Sequence, residues 1–579
     1  MEDHFARLNT ALTRGKAVTK VAVIHPVEGF WLRYGPNDKT AAVRAEMEAD
    51  FNNIINWLLF NQIDFDFVSE SLLPDLYKKG QKFTVGQMDY DVVLVPNCLS
   101  MRATTLDALK NFNASGGKII FAGEAAQVVD GVVSNIVEEF SQKCIRIPFA
   151  KTYVIDALED FRDISIQNND GSRAEHLLYQ LRQDGEDRWL FICNGTKPHN
   201  EDIPSAEEFT ITINGEYAPI LYDTITGDII PISAEYENGM TIIKKELHMH
   251  DSLLLKLESG VSTVSQAKKL SASNFVEIAA PYAFKLAEPN VLVLDMAEYA
   301  FNNEHWQAKD EILRVDNLFR KKLGYPMRMQ SLAQPWTLTP AEASGNILSL
   351  RYTIDSEIAL AEVFLALENV EGTEVIWNGS KIKSPAEGYY VDLSIHKLRL
   401  PGLNVGQNEL ILKISFEQRT NVENCFLLGE FGVDIAGSVA TITKYPEALM
   451  FGDITRQGLP FYGGNLIYKC RVYSQGGNVK LEASYFRSPV LAVKVDGKDM
   501  GYIAYAPYII NLGNLTEGWH EVEITSYGNR INTFGTLHNA DEKMHWVGPN
   551  AWRTEGHEWS YEYMLQASGV LKAPRVASS

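Results

Sequence analysis

The chain has 579 residues, of which 45% are apolar and 22% charged, with a formal net charge of -21. At about 100–200 residues per domain this predicts roughly three to five domains of an ordinary globular kind. A negative field of this size repels phosphate backbones and anionic bilayers, so neither nucleic acid nor a membrane is an expected partner, whereas neutral ligands such as sugars meet no electrostatic penalty.

Aromatic residues reach 11%. Sugar sites and β-sandwich cores both consume aromatics, so composition does not decide between these uses. The five cysteines, at 98, 144, 193, 425 and 470, are far apart and form no CxxC or Cys/His zinc spacing. They read as free thiols, and no metal or other cofactor is expected. The N-terminus MEDHFARLNTALTRGK lacks the apolar core of a signal peptide, and no apolar run approaches the roughly 18 residues that span a bilayer. The expectation is a cytoplasmic protein.

Residues 1–17 read as a short helix and its exit loop. From 18 to 150, five apolar runs recur: Val21–Ile24, Phe65–Val68, Val92–Val95, Ile119–Phe121 and Cys144–Ile147. Most are continuous rather than alternating, which suits parallel strands covered on both faces. Between them, Met47, Phe51, Ile54, Ile55, Leu58 and Leu59 form one helical stripe. Leu106, Leu109 and Phe112 form a shorter one that stops at Gly116-Gly117. The alternation predicts an α/β, doubly wound domain.

Ligands of such sheets sit at the carboxyl ends of strands. The segment after the first strand, HPVEGFWLRYGP, offers His25, Glu28, Trp31, Arg33 and Tyr34 and reads as a loop, either packed against a neighbour or forming a wall of a sugar site. Amidotransferase chemistry would need a cysteine on a strand-to-helix elbow. Glu124 stands at that place, and Cys98 follows a different strand without flanking glycines. No glycine-rich nucleotide motif is present.

From 151 to 260, short runs separated by Asp184-Gly185, Asn214-Gly215 and Asn238-Gly239 predict hairpins of a small β-sandwich. His248 and His250 lie two apart and so share one strand face; they read as ordinary strand residues or a metal pair. A polar linker follows at 259–274. The segment 275–440 combines a helix over 308–323 with strands, including the hairpin TEVIWNGSKIK, and 441–579 repeats that plan in LAVKVDGKDMGYI. Both are expected to be all-β sandwiches.

The order VAVIHPVEGFWLRYGP, WLLFNQIDFDFVSESLLP, DVVLVPN and GGKIIFAGE resembles the flavodoxin-like, amidotransferase-like domain that follows the catalytic barrel in family 42 β-galactosidases. It also resembles the corresponding part of large bacterial proteins grouped with family 2 and α-L-rhamnosidase-like glycosidases. EVIWNGSKI, GYYVDLS and GLNVGQNELILKI are similar to their jelly-roll sugar-binding domains. FGDITRQGLPFYGGNLIY and HWVGPNAWRTEGHEWSYEY resemble the end of such chains. The resemblance implies a multidomain α/β plus all-β protein: a C-terminal, non-catalytic region of a glycoside hydrolase supplying scaffold, oligomerisation and weak carbohydrate binding. The barrel that holds the catalytic carboxylates in that family is expected to be missing here or separately encoded, with residues 1–17 as the residual end of its last helix, and a homo-oligomer is an expected state. The competing readings are an intact glycosidase with its site in the β-domains and a purely structural oligomerisation module.

Glycoside hydrolysis uses paired carboxyl groups roughly 5–10 Å apart. Asp295 and Glu298 are the nearest approach to such a pair, but no residue is singled out as catalytic. Sugar recognition needs an aromatic face and directional polar groups. The candidates are Trp552 and Arg553 in a loop rich in Gly, Pro and Asn, Arg456 and Tyr462 in ITRQGLPFYGG, Trp377 beside the Asn378-Gly379 turn, which reads otherwise as a cross-strand packing residue, and Trp31 and Arg33 in the first domain. Trp559, Tyr561 and Tyr563 alternate and read as core residues of one strand face.

Overall fold

The computed structural model describes every residue except 199, 201, 204, 263, 265–274, 329–344, 542–555 and 579. It comprises two compact units, Met1–Ser271 and Ala272–Ser579.

In the first unit, β1 (Val21–Ile24), β2 (Phe65–Val68), β3 (Val92–Val95), β4 (Lys118–Ala122) and β5 (Ile145–Ile147) make one sheet in the order β5-β4-β3-β1-β2. Every neighbouring pair is parallel. The continuous apolar runs have a direct cause. Val21 and Val23 enter a core with Ile54, Leu58, Val154 and Leu158, whereas Ala22 and Ile24 enter another with Leu106, Leu109, Phe112 and Phe140. The helices of this unit include α1 (Glu2–Leu12), α2 (Val27–Arg33), α3 (Asn37–Leu59), α4 (Ala103–Ala114), α5 (Ile136–Ser141) and α6 (Lys151–Leu158). Helices α3 and α6 thus cover one sheet face and α4 and α5 the other. Gly116 takes the left-handed conformation just past α4 (φ 87°), as the Gly-Gly stop predicts.

Two expectations change here. The segment expected as a loop after β1 is mostly helix α2. The sheet's covering also extends past residue 150, because α6 supplies Val154, Ile155 and Leu158 to its core.

A sandwich completes the first unit. One sheet contains Leu177–Asp184, Asp187–Asn194, Ser252–Ser259 and Tyr217–Tyr222; the other contains Ile164–Asn168, Ala206–Asn214 and Met240–His248. Leu181, Leu190, Ile192, Phe209, Ile211, Ile243 and Leu255 fill the space between. The N-terminal segment belongs to this sandwich. Lys16–Ala17 pairs with its first sheet, and α1 packs Leu8 and Ala11 on Trp189 and Leu254. His248 ends its strand and His250 lies in the following turn at φ 61°, so the two do not share a strand face.

The second unit has two β cores. In the first, a sheet containing Asn290–Leu294, Cys425–Gly429, Val363–Leu367 and Asp392–Leu400 faces one containing Met296–Phe301, Ile347–Ser356, Gly406–Ser415 and Thr373–Trp377. The helix of this region, α7 (Ile312–Leu323), starts later than its sequence pattern suggests, because Gln307–Glu311 pairs as a strand with Met296–Phe301. The Glu311 carboxylate accepts from Leu313 N at 3.0 Å and Arg314 N at 2.9 Å, capping the helix. The other core is wrapped by two long strands, β6 (Leu466–Glu482) and β7 (Ile509–Ser526). Val276–Glu277 and Ala283–Leu286 pair with this last sheet, so residues that precede the first core in sequence complete the second. Both Asn378-Gly379 and Asp496-Gly497 place two successive residues at positive φ, the geometry of a tight two-residue hairpin.

Asp64, ahead of β2, is largely buried near Asp66 and Asp163. Burial first, then the Asp66 carboxylate, pushes its pKa up to about 6. The folded state therefore holds a proton between about pH 4 and 6 that the unfolded chain has released, so the stability tied to this group is full below pH 4 and falls as pH rises to 6. Asp64→Asn should stabilise the protein at pH 7 by at most about 3 kcal/mol, with the gain vanishing near pH 4. Urea midpoints at both pH values check this.

Candidate functional site

The chain leaves β1 toward the face covered by α3 and leaves the adjacent β3 toward the face covered by α4. Between those departures, at the carboxyl ends of the strands, lies a cavity of about 670 Å³. Its walls come from the ends of several strands: His25 after β1, Phe67 in β2, Asn97 and Cys98 after β3, and Gly123 and Glu124 after β4. Helices α2 and α3 supply Phe30, Arg33, Glu46, Glu48, Asp50 and Phe51.

Part of the wall is aromatic. The His25 ring lies 5.4 Å from Phe51 and 5.3 Å from Phe67, and those two phenyl rings are 5.1 Å apart. Burial lowers the His25 pKa, so it stands as a neutral imidazole at pH 7. Its backbone N–H donates to Val68 O at 3.0 Å, which extends the pairing of β1 and β2 by one residue and anchors the ring.

The polar side is organised by Asn97. Its Nδ2 donates to Asp50 Oδ2 at 3.0 Å, and its Oδ1 accepts from Glu124 N at 2.8 Å. One amide thereby ties helix α3 to the loop after β4. Glycine is required beside it: Gly123 sits at φ 92°, and a Cβ there would lie 2.0 Å from Asn97 Oδ1. Gly29 in α2 is a close-approach glycine as well, since its Cβ would meet Leu99 at 3.2 Å. Glu28 on α2 pairs with Arg102 at 2.6 Å, and the buried Glu70 accepts from Arg102 N at 2.8 Å, fixing α2 to the loop that enters α4.

The lining carries four carboxylates, Glu46, Glu48, Asp50 and Glu124, and one cation, Arg33. Cys98 is not a thiolate nucleophile, because burial, reinforced by Glu70, pushes its thiol up to about 12. Among the described residues no group of three or more His, Cys, Asp and Glu side chains is arranged to hold a metal ion.

The residues selected from sequence separate. Arg33 lines the cavity together with His25. Trp31, on the same helix, is 63% exposed and is not part of the lining. Trp377 is buried, with Nε1 donating to Gly402 O at 2.9 Å, and Tyr462 is buried, with its hydroxyl donating to Asn465 O at 2.8 Å. Both are packing residues and present no open ring face to a ligand. Arg456 is exposed and 3.9 Å from Asp453. Trp552 and Arg553 lie outside the described residues. Trp559, Tyr561 and Tyr563 do not share a strand: Tyr561 is 53% exposed, Trp559 lies under the Arg314 guanidinium at 4.4 Å, and the Tyr563 hydroxyl donates to Asp295.

Asp295 and Glu298 are each committed to structural partners. Asp295 is buried, 3.1 Å from His538 Nε2 and 3.0 Å from the Tyr563 hydroxyl, while Glu298 pairs with Arg351 at 2.7 Å. Burial opposes a charge on His538, but the Asp295 carboxylate outweighs it and raises its pKa. The cavity's main walls, α3 and the strand ends, were legible as elements. Asn97 and Asp50 carry no signal in the sequence, and Glu124 stands out there only as the residue at the place of an amidotransferase nucleophile, because the meeting of the three depends on sheet order.

No protein-family model matches the chain, and no curated protein matches it. Among solved structures, a rhamnosidase from Novosphingobium sp. PP1Y is similar over 99% of this chain and 40% of its own, with 13% identity and a TM-score of 0.46. A GH42 exo-carrageenase from Bacteroides ovatus is similar over 42% of this chain and 29% of its own, at 13% identity and a TM-score of 0.27. A GH42 β-galactosidase from G. stearothermophilus is similar over 42% of this chain and 40% of its own, at 11% identity and a TM-score of 0.29. These structural neighbours are glycoside hydrolases, and the chain spans about 40% of the length of the rhamnosidase.

Asn97→Ala should leave Asp50 and the Glu124 N–H unpaired and lower stability by about 1–3 kcal/mol. Gly123→Ala should cost at least as much, because it adds a clash to an unfavourable φ. Urea unfolding of both variants checks this.

Proposed function

We propose that this chain is an accessory, non-catalytic region of a glycoside hydrolase in carbohydrate metabolism. In this reading the doubly wound domain is flavodoxin-like and amidotransferase-like, the β-domains are jelly-roll scaffolds, and the catalytic carboxylates belong to a (β/α)8 barrel that is not among these residues. The observation that carries the reading is the cavity at the β1/β3 switch point. It joins an aromatic wall to carboxylate and amide groups, with one cation and a protonated thiol. Apolar ring faces suit the C–H surface of a sugar, and carboxylates and amides bond its hydroxyls. An anionic ligand such as a nucleotide would meet four carboxylates there, which disfavours it.

Homo-oligomerisation through the same domain is part of the proposal. Strand β5 is an edge strand with Ile145 exposed, and Val132, Val133 and Ile136 are exposed in the segment that precedes it.

A panel of neutral mono- and oligosaccharides tested by thermal shift against the purified chain decides the matter. A ligand at 100 times its Kd should stabilise the first unit by about 2.7 kcal/mol. Glu124→Gln and Phe30→Ala should remove that shift without unfolding the protein. If no sugar raises the transition temperature, the sugar-site reading fails and a purely structural role replaces it.

A further inference from the structure

The second unit carries a set of exposed rings that its fold does not need. Strands β6 and β7 pair antiparallel through Lys469↔Glu523, Arg471↔Glu521, Tyr473↔Trp519 and Gln475↔Glu517. The alternate residues on these strands, Tyr468, Cys470, Val472, Val522 and Ile524, are buried in the core. The first set therefore stands on the solvent face. Trp519 is 69% exposed and Tyr473 48%. Their rings meet at 72° with centroids 5.5 Å apart, an edge-on arrangement that leaves at least one of them with both faces uncovered by the other. Tyr282, also 48% exposed, is held to the same sheet by its N–H, which donates to Lys469 O at 2.9 Å.

Polar groups flank both tyrosines. The Tyr473 hydroxyl lies 3.4 Å from Glu517, the Tyr282 hydroxyl lies 3.3 Å from Glu521, and the Arg471 guanidinium covers Tyr282 at 4.8 Å. Lys469 pairs with Glu523 at 3.3 Å and Arg471 with Glu521 at 3.9 Å. Two cations and three carboxylates nearly cancel across this ladder, although the whole chain carries -21. The face is thus close to neutral, aromatic, and supplied with both hydrogen-bond donors and acceptors.

We propose that this face binds a neutral polysaccharide chain, with the Trp519 ring as the principal stacking platform and Tyr473 and Tyr282 beside it. Successive outward residues of a strand stand about 7 Å apart, so the rings and charges offer a row of contacts to several consecutive sugar units. Sugar hydroxyls would bond the ladder's charged groups while leaving them partly in water. A second copy of this chain is a poorer occupant, because it would have to desolvate Lys469–Glu523 and Arg471–Glu521. The site is separate from the cavity of the first unit and goes beyond the function proposed for it.

The test is native electrophoresis of the full chain through gels containing galactomannan, xyloglucan or mixed-linkage β-glucan, alongside sedimentation equilibrium. At least one polymer should retard the wild type. Trp519→Ala should weaken that retardation about 10-fold, the equivalent of about 1.4 kcal/mol, a size suited to losing an aromatic stacking partner. Tyr473→Ala should weaken it less. Both positions are solvent-facing, so the unfolding midpoints should stay near wild type. Glu124→Gln should leave the retardation intact, and Trp519→Ala should leave any thermal shift by small sugars intact, which separates this site from the cavity. The proposal is overturned if no polymer retards the wild type, if Trp519→Ala is retarded equally, or if the wild type is a dimer that Trp519→Ala dissolves.

Discussion

Adjacent strands β1 and β3 send the chain to opposite faces of the parallel sheet, and the candidate cavity depends on that divergence. Had α3 and α4 packed on the same face, their N-terminal approaches would have closed over the strand ends. Instead the ends of β1, β2, β3 and β4 remain open, and α2 and α3 form a rim. The divergence holds because each strand is apolar on both sides. Val21 and Val23 bind one helical layer, and Ala22 and Ile24 bind the other. At about 25 cal/mol per Å² of apolar area buried, both layers are held by the same four residues of β1, and neither can move without exposing part of the sheet.

Charge is used in two ways. In the cavity, carboxylates line a space that a ligand can enter, and Asn97 positions one of them while binding the N–H of another. In the second unit, buried charges are consumed by the protein. Arg320 is paired with Asp316 at 3.1 Å and donates to the carbonyls of Gln418 and Thr420. Asp295 is likewise satisfied by His538 and Tyr563. Such groups favour one packing arrangement and are already engaged with the protein. Asp295 and Glu298 are each held by such partners, Glu298 by Arg351 at 2.7 Å.

Much of the first domain was legible. The five strand runs and the stripes of α3 and α4 could be read from period and continuity, since burial on both faces leaves Val21–Ile24, Val92–Val95 and Ile119–Phe121 without a polar residue. Arg33 and His25 were found because they follow the first strand. HPVEGFWLRYGP reads as a loop in sequence, and its Pro26, Gly29 and Gly35 do not mark a helix. In the structure Pro26 precedes the helix, and Gly29 lets α2 approach Leu99, which an added Cβ would press at 3.2 Å. Trp377 and Tyr462 looked like binding residues because aromatics beside Gly and Asn also mark sugar loops. Their polar atoms instead bond nearby backbone carbonyls, a partner that sequence does not display.

Local periodicity, turn chemistry and charge balance belong to the sequence. They determined that the chain alternates strands and helices first and turns to hairpins afterwards, that Asn378-Gly379 and Asp496-Gly497 are tight turns, and that anionic partners are disfavoured. These properties depend on neighbours a few residues away or on a sum over the whole chain. Only the tertiary structure decided that Asp50, Asn97 and Glu124 meet, that Val276–Glu277 joins the last sheet, and that Trp519 lies on the open side of its strand beside Tyr473. Each is a contact between distant segments, fixed by which strands become neighbours and in what register, and pairing registers are set by the packing of whole layers rather than by any local signal.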